Sequence, residues 1–232
     1  VMRLSVKEDG NWRSFRHRNY RILFPANTVS NIGSWAQRIA QDWLVLELTN
    51  NNGTYLGLVT AVQFAPVLAF SLHGGKLADR FNKRKVLILT NVVGGAASLA
   101  LGALVMTDLI ALWHVFVLAG ILGISTAIDA PVRQSFTTEV VGQTDLPNAV
   151  SLNSANFNAG RLVGPAISGG LIAAFGTGPS FIVNGLSYFF VIAALMNLNE
   201  KAFFHLDRPK SDGSIREGIA YAKARPDIYV VM

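Results

Sequence analysis

The feature that most constrains this chain is a series of six apolar stretches, most of them about 20 residues long, separated by short polar links. An α-helix rises 1.5 Å per residue, so about 20 residues cross the roughly 30 Å hydrocarbon core of a bilayer. The stretches lie at 20–47, 54–78, 85–107, 109–129, 146–175 and 178–198. The sequence therefore predicts an all-α membrane protein with six transmembrane helices.

The links between these stretches alternate in charge. Three links on one side lack Lys and Arg: 50–53, 107–108 and 176–179. The segments on the other side hold 18 of the 20 basic residues: 1–21, 76–85, 130–145 and 201–225. The positive-inside rule produces this alternation when both ends of a six-span unit are cytoplasmic. We therefore expect a multi-pass protein of a bacterial-type cytoplasmic (inner) membrane.

Composition excludes two other classes of protein. A chain with 51% hydrophobic residues, only 15% charged residues and a mean hydropathy of +0.37 is too apolar for an ordinary soluble domain. The net charge of +6 could suggest nucleic-acid binding, but that function needs no alternation of basic links. We expect no nucleic-acid partner.

Charge and hydropathy also divide the chain into regions. Residues 1–19 read as a cytoplasmic leader and residues 20–198 as the six-span bundle. Residues 199–227 read as a cytoplasmic linker with a short helix, ending before Pro226. Residues 228–232 are apolar and are predicted to begin a seventh span that the chain truncates.

The segment 75–85, between the second and third spans, reads G-K-L-A-D-R-F-N-K-R-K. A short loop between two helices needs a tight turn, and an acid at a helix end can pair with a base or with the amino terminus of another helix. Asp79 and Arg80 are therefore candidates for a latch that depends on the state of the protein. The alternative is a solvated basic loop that only sets topology.

Segment 75–85 resembles motif A of the major facilitator superfamily, G-x-L-A-D-R-x-G-R-[RK]. The matching residues are Gly75, Leu77, Asp79, Arg80 and Arg84. The resemblance implies a cytoplasmic gate that contacts a second six-span half and holds the outward-facing state. Asn82 stands where glycine is usual, and the change is a mild one because Asn tolerates a positive φ better than most residues.

A second motif lies in the fifth span, where 160–170 reads G-R-L-V-G-P-A-I-S-G-G. Small residues four positions apart let helices approach closely, and a proline kinks a span. The segment resembles the antiporter motif of exporters in the same superfamily, with Ser168 in place of one glycine. The matching residues are Gly160, Gly164, Pro165 and Gly169. The motif suggests a hinge or a seal; the alternative is ordinary close packing.

Three further segments, 35–49, 130–150 and 216–222, resemble the branch of the superfamily that includes the enterobactin exporter and macrolide-efflux proteins. This resemblance implies two three-helix repeats of inverted topology that form half of a twelve-span transporter. It also implies a second six-span half, covalent or associated.

The first span carries ionisable residues. Arg38 and Asp42 are four residues apart and therefore share a helix face with each other, and Gln41 and Trp35 lie beside them. An ionisable residue that faces a cavity inside a bundle is a functional candidate. These four residues are candidates for a substrate or proton-coupling site, with Asp42 first among the acids. The alternative is a structural ion pair.

Arg161, within the fifth span, is interpreted as a second buried charge that pairs with a carboxylate or an anionic substrate. The arginine that the superfamily usually carries in the fourth span, four residues before a glycine, is replaced by Ala119 before Gly123. The usual arrangement for proton coupling is therefore not present at this position.

No catalytic, metal-binding or phosphate-binding motif occurs in the sequence, so we expect neither an enzyme nor a cofactor or metal. The leading hypothesis is secondary export of a small amphiphilic molecule, a siderophore or a drug, by proton antiport with alternating access. Its partners would be the small-molecule substrate, protons and the lipid bilayer. The alternatives are a lysophospholipid or lipid flippase of the same superfamily, and a non-transporting six-span structural or regulatory module.

Overall fold

The computed structural model describes residues 10–70 and 81–204. Within these ranges the chain is helical and contains no strand, which confirms the all-α prediction. The five helices are α1 (Arg18–Leu48), α2 (Gly53–Phe70), α3 (Lys83–Met106), α4 (Leu112–Phe175) and α5 (Gly178–Met196). Short 3₁₀ turns at Arg13–Arg16 and Glu200–Ala202 flank them. The predicted linker helix and seventh span lie outside the described residues.

Four of these helices, α2 to α5, are long and apolar enough to cross a membrane. α1 has the length but a more polar sequence, including Asn27, Asn31 and Arg38. α2 buries only Val59, and apolar side chains such as Leu68 are largely exposed. An apolar surface this extensive needs a lipid environment. The six-span count and the repeat layout remain predictions.

α4 contains 64 residues, about 96 Å at 1.5 Å per residue, which is three times the thickness of a hydrocarbon core. Its backbone leaves the helical region once, at Gly142, where φ is 74°. Glycine adopts a positive φ without the steric cost that a side chain brings. The break divides α4 into an N-arm (112–141) and a C-arm (143–175), which contain the fourth and fifth predicted spans.

The N-arm corrects the prediction for 130–145, which was interpreted as a link. Residues 130–141 continue the helix, and Val132, Phe136 and Val140 are buried in the core. These residues recur every four positions, which is the period of a helix face packed against its neighbours. The polar residues between them lower the mean hydropathy of the segment, so a window average misses it.

The helices form a bundle with two distinguishable ends. At the basic end, Ser14 contacts Asn148, Arg84 contacts the end of α5, and Asn19 contacts Asn199. At the opposite turn end, short links join α1 to α2, α3 to α4 and α4 to α5. Asn50, Asn51 and Asp108 have positive φ there, a conformation that Asn and Asp tolerate better than most residues and that suits tight turns.

The helices pack against one another in pairs, and their buried apolar residues form two cores. α1 packs along the C-arm and α5, α2 along the N-arm, and α3 along α5 and the N-arm. One apolar core lies near the basic end, around Tyr20 and Leu195, and a second lies near the turn end, around Leu44 and Phe181. The polar residues of the bundle lie between these two cores.

Candidate functional site

A cavity of about 300 Å³ opens between the two apolar cores. α1, α3, both arms of α4 and α5 all contribute to its lining, which consists of Asn27, Ser30, Asn31, Ser34, Thr90, Asn91, Ser125, Thr126, Asp129, Ala130, Arg133, Thr137, Asn153, Asn156, Phe157 and Tyr188. Only Ala130 and Phe157 have purely apolar side chains. Such a cluster of hydrogen-bonding groups inside an apolar bundle marks a binding site or a path for polar solutes.

An ion pair forms the charged centre of this cavity. Arg133 Nε donates to Asp129 Oδ1 over 2.6 Å, and Arg133 Nη2 donates to Asp129 Oδ2 over 2.9 Å. Thr90 and Asn91 of α3 also donate to Asp129 Oδ2, over 2.8 and 3.2 Å. The third Arg133 donor, Nη1, reaches Asn27 Oδ1 of α1 over 2.7 Å. The pair thus joins α1, α3 and α4 at the cavity.

Sequence reasoning missed this pair, because it ended the fourth span at Asp129 and placed Arg133 in a basic link. The signal was present as an acid and a base four residues apart, the same spacing that drew attention to Arg38 and Asp42. Extending the helix beyond residue 129 would have placed both groups on one face.

The wall between α1 and the C-arm is built around two glycines of the packing motif. A Cβ on Gly164 would lie 2.5 Å from Trp35 Cβ and 2.9 Å from the Ala36 nitrogen, and one on Gly160 would overlap the Asn31 amide. Asn31 Nδ2 donates to the Asn156 carbonyl oxygen across the same contact, over 2.7 Å. These two glycines therefore permit the close approach of α1.

The rest of the packing motif is looser. A Cβ on Gly169 would meet no heavy atom of the described residues within 4 Å, and the backbone stays helical at Pro165. Arg161 is exposed and has no ion pair among the described residues, and its pairing with a carboxylate or an anionic substrate remains a prediction. A hinge or seal role for the motif remains a prediction.

The candidates on α1 surround the cavity wall rather than line the cavity. The Arg38 guanidinium lies 4.9 Å from the Trp35 ring centre and 5.1 Å from that of Phe64, and it forms no salt bridge with Asp42 within the described structure. Gln41 is buried and donates to Gln63 of α2 over 3.1 Å. Neither Arg38, Gln41 nor Asp42 belongs to the cavity lining, and their roles in coupling remain predictions.

Trp35 is the α1 candidate nearest the cavity. Its ring meets that of Phe157, a lining residue, edge to face at 5.4 Å. Trp35 therefore packs against a residue of the cavity lining without lining the cavity itself.

Most of the predicted gate motif lies outside the described residues: Gly75, Leu77, Asp79 and Arg80. Arg84 is described. Its guanidinium donates to the carbonyl oxygens of Leu195 and Met196, over 2.7 and 2.8 Å, and pairs with Glu200. A cation that binds the last carbonyls of a helix satisfies groups that have no partner within the helix. Arg84 thus ties the start of α3 to the end of α5.

Asn82 has an ordinary backbone conformation. Its φ is −63°, so this position does not use the positive φ that Asn tolerates. The Asn82 side chain instead caps α3, because its Oδ1 accepts a hydrogen bond from the Lys85 backbone N–H over 3.1 Å. Lys83 next to it pairs with Glu139 of the N-arm over 2.6 Å.

A second carboxylate lies at the basic end, just past the break in α4. Asp145 is 1% exposed and contacts three bases: Arg16 Nη2 at 2.8 Å, His17 Nε2 at 2.6 Å and Arg13 Nε at 3.4 Å. Burial raises the pKa of Asp145, but hydrogen bonds from His17 and Arg16 and their positive charge outweigh it and hold the pKa below its ordinary value. We call this cluster the Asp145 clamp.

The segment before α1 is docked through this clamp and a second set of hydrogen bonds. The Ser14 backbone N–H and hydroxyl both donate to Asn148 Oδ1, over 2.9 and 2.7 Å, and Asn148 Nδ2 donates to the Asn11 carbonyl oxygen over 2.8 Å. From residue 10 onward, the segment predicted as a cytoplasmic leader packs against the start of the C-arm.

Comparison with known proteins identifies the family. The model of the transmembrane secretion effector family, a branch of the major facilitator superfamily, matches residues 9–232. The staphyloferrin A transporter of Staphylococcus aureus is 27% identical over 182 residues, which cover 78% of this chain and 46% of that protein. The multidrug efflux pump Tap of Mycolicibacterium fortuitum is 30% identical over 162 residues, 67% of this chain and 39% of the pump.

The enterobactin exporter of Shigella flexneri is 22% identical over 192 residues, which cover 79% of this chain and 45% of the exporter. The chain spans about half the length of the curated relatives that it matches. With its apolar helices and the match over residues 9–232, the chain belongs to the transmembrane secretion effector family of the major facilitator superfamily and is a multi-pass membrane protein.

Proposed function

We propose that this chain is the amino-terminal half of a secondary transporter that exports a small amphiphilic molecule, a siderophore or a drug, by proton antiport with alternating access. The observation that carries the proposal is the polar cavity with the Asp129–Arg133 pair at its centre. Charged groups inside an apolar bundle cost free energy unless they are paired, and their usual use is to bind a solute or an ion. The names of the relatives support a siderophore or drug as cargo.

The helix contacts support an inverted repeat of two three-helix units. In such a repeat, α1 would correspond to the N-arm, α2 to the C-arm and α3 to α5. The contact between α1 and the C-arm would then match the contact between the N-arm and α2. Each contact contains a glycine with no room for a side chain, Gly164 against α1 and Gly123 against the Gln63 backbone. The contact between α3 and α5 is unchanged when the two units are exchanged, because these two helices correspond to each other. This correspondence fits a bundle that pairs with a second half across the cavity.

Two carboxylates compete for the role of coupling acid in this proposal. Asp42 is the candidate from the sequence, and Asp129 is the acid that lines the cavity. Asp129 and Arg133 share two hydrogen bonds at the cavity, so a proton and a cargo would act on one set of groups. We place the coupling site at Asp129 and keep Asp42 as the rival. The basic end would face the cytoplasm, where Arg84 and the gate motif would close the transporter.

The test is transport by the full-length protein in inside-out vesicles with an imposed pH gradient. Staphyloferrin A, enterobactin and a macrolide are the cargoes, and a lysophospholipid tests the flippase alternative. We expect Asp129→Asn to lower gradient-driven uptake at least tenfold, equivalent to about 1.4 kcal/mol. Asp42→Asn should lower it less, and Asp79→Asn should weaken the gate.

Asp108→Asn is the matched control, because Asp108 is exposed in a turn at the far end and Asn tolerates its positive φ. Uptake of none of the cargoes by the wild type would overturn the export proposal. A large loss with Asp42→Asn and none with Asp129→Asn would move the coupling site to α1. Uptake of the lysophospholipid alone would favour the flippase.

A further inference from the structure

The lining of the cavity is unusually rich in hydrogen-bonding groups. It contains five asparagines, six serines and threonines, and one tyrosine besides the ion pair. Only Phe157 and Tyr188 offer aromatic surface. Sites for lipophilic ligands are lined predominantly by hydrophobic and aromatic side chains. The chemistry of this lining is that of a site for a hydrophilic molecule.

The ion pair leaves donors free for such a molecule. A guanidinium has five N–H groups, and Arg133 uses three of them on Asp129 and Asn27. Two N–H groups thus have no partner among the described residues, and 31% of the Arg133 side chain is exposed. Planar N–H groups of this kind favour carboxylate and other oxygen acceptors.

An acceptor on the cavity lining also lacks a partner. The side-chain oxygen of Asn156 is buried and accepts no hydrogen bond in the described structure. A buried polar atom without a partner costs free energy, so it is satisfied when a ligand donates to it. A hydroxyl or N–H group on the ligand would fill this position.

The pair is unsuited to a lipophilic cation. Both Asp129 oxygens already accept hydrogen bonds from Arg133, and Oδ2 accepts two more from Thr90 and Asn91. The negative charge of Asp129 is therefore compensated, and a cation entering the cavity would meet Arg133 beside it. Repulsion of a like charge in a confined site is costly.

From these features we infer that the cavity binds a hydrophilic ligand group that carries both carboxylate or other oxygen acceptors, for Arg133, and hydroxyl or N–H donors, for Asn156. A hydroxycarboxylate is the simplest such group. This inference rests on the proposed function and names the class of cargo; the amphiphilic cargo would enter the cavity of this half by its polar part.

The experiment measures binding of three radiolabelled probes to the purified full-length protein by equilibrium dialysis. Gluconate and citrate are hydroxycarboxylates, and tetraphenylphosphonium is a lipophilic cation. We expect the two hydroxycarboxylates to bind more tightly than the cation. Arg133→Lys keeps the charge but loses the planar donors, and should weaken gluconate binding about tenfold.

Asn156→Ala provides a second variant that does not depend on the ion pair. It removes the unpartnered oxygen and keeps the backbone carbonyl that Asn31 contacts, so the contact with α1 should persist. We expect gluconate binding to weaken about threefold to tenfold. Arg21→Lys, at an exposed position near the start of α1, is the matched control and should bind as the wild type does.

Tighter binding of tetraphenylphosphonium than of both hydroxycarboxylates would overturn the inference. So would equal gluconate binding by Arg133→Lys, Asn156→Ala and the Arg21→Lys control. Either result would leave the proposed function intact if the vesicles still export a cargo. Failure of the wild type to export any cargo would instead overturn the proposed function.

Discussion

Asp129 in the N-arm of α4 and Asp145 in the C-arm each form an ion-pair cluster, and the two clusters differ in exposure and in the origin of their bases. Asp129 pairs with Arg133 on its own helix, is 19% exposed and faces the cavity. Asp145 is 1% exposed, and its bases come from the segment before α1, more than 120 residues earlier. The Asp129 side chain is partly exposed and its ion pair lies within one helix, whereas the Asp145 side chain is buried and its ion pairs join distant parts of the chain.

This difference separates a site that can exchange partners from one that only holds the fold. A ligand or water can reach Arg133 through the cavity, so the pair can open without moving a helix. Opening the Asp145 clamp requires the segment around Ser14 to leave the C-arm. An acid in an ion pair is therefore not evidence of function by itself; access to the pair decides.

Removing the charge of Asp145 should have the largest effect on stability. Asp145→Asn weakens the contacts with three bases, and we expect the free energy of unfolding to fall by about 2–3 kcal/mol. Asp129→Asn should cost only about 1 kcal/mol, because its base is on the same helix and both side chains of the pair are partly exposed. The measurement is equilibrium unfolding of the full-length protein in detergent.

Asp108→Asn serves as the control for removing an acid from an exposed turn. The comparison between the two clusters fails if Asp129→Asn destabilises the protein as much as Asp145→Asn does. It also fails if Asp145→Asn abolishes transport by protein that is still folded.

The cavity wall should be the next most sensitive region. Gly164→Ala places a Cβ against Trp35 and Ala36, so we expect a loss of about 2 kcal/mol from overpacking. Gly169→Ala is the matched control in the same motif and helix. Its Cβ would meet no heavy atom in the described part of the chain, and alanine is the better helix former by about 1 kcal/mol, so stability should stay equal or rise.

Equilibrium unfolding of both variants checks this contrast. An equal loss at Gly169 would contradict the division of the motif into a packed part and a loose part. It would place Gly169 in a contact with a segment beyond the described residues.

The cap on α3 tests whether local contacts at the basic end act independently of the Asp145 clamp. Asn82→Ala removes the side-chain acceptor for the Lys85 N–H and should cost about 1 kcal/mol. Asn82→Gly, the residue usual in the superfamily motif, should cost only a few tenths of that amount. If Asn82→Ala and Asn82→Gly lower the free energy of unfolding equally, the hydrogen bond to the Lys85 N–H is not what Asn82 contributes to stability.

Much of the fold could be predicted from the sequence, since long apolar runs and the charge of their links depend on local residues. The helices near 20–47, 85–107 and 178–198 lie close to their predicted bounds. The extension of the N-arm to 141 was missed, because Arg133 and Glu139 lower the hydropathy of a segment whose buried face is apolar. Periodicity, rather than average hydropathy, carried the signal there.

The candidate site could be predicted less well, because side-chain partners come from distant parts of the chain. The spacing of Gly160 and Gly164 correctly indicated a close helix contact. No local pattern indicates that Thr90 and Asn91 reach Asp129, or that Arg16 reaches Asp145. The same limit explains Arg161, which has the residue type of a buried partner but lies on an exposed face.

The smallest expected effect is the pH dependence of the Asp145 clamp. The pKa of Asp145 is held below its ordinary value of 3.8, so its contribution is complete above that value and is lost as the pH falls through the lowered pKa. The stability difference between wild type and Asp145→Asn should thus stay constant from pH 7 to pH 5 and narrow only below about pH 4. Unfolding measured across this range checks the prediction. A difference that already narrows between pH 7 and pH 5 would contradict the lowered pKa of Asp145 and its role as the charged centre of the clamp.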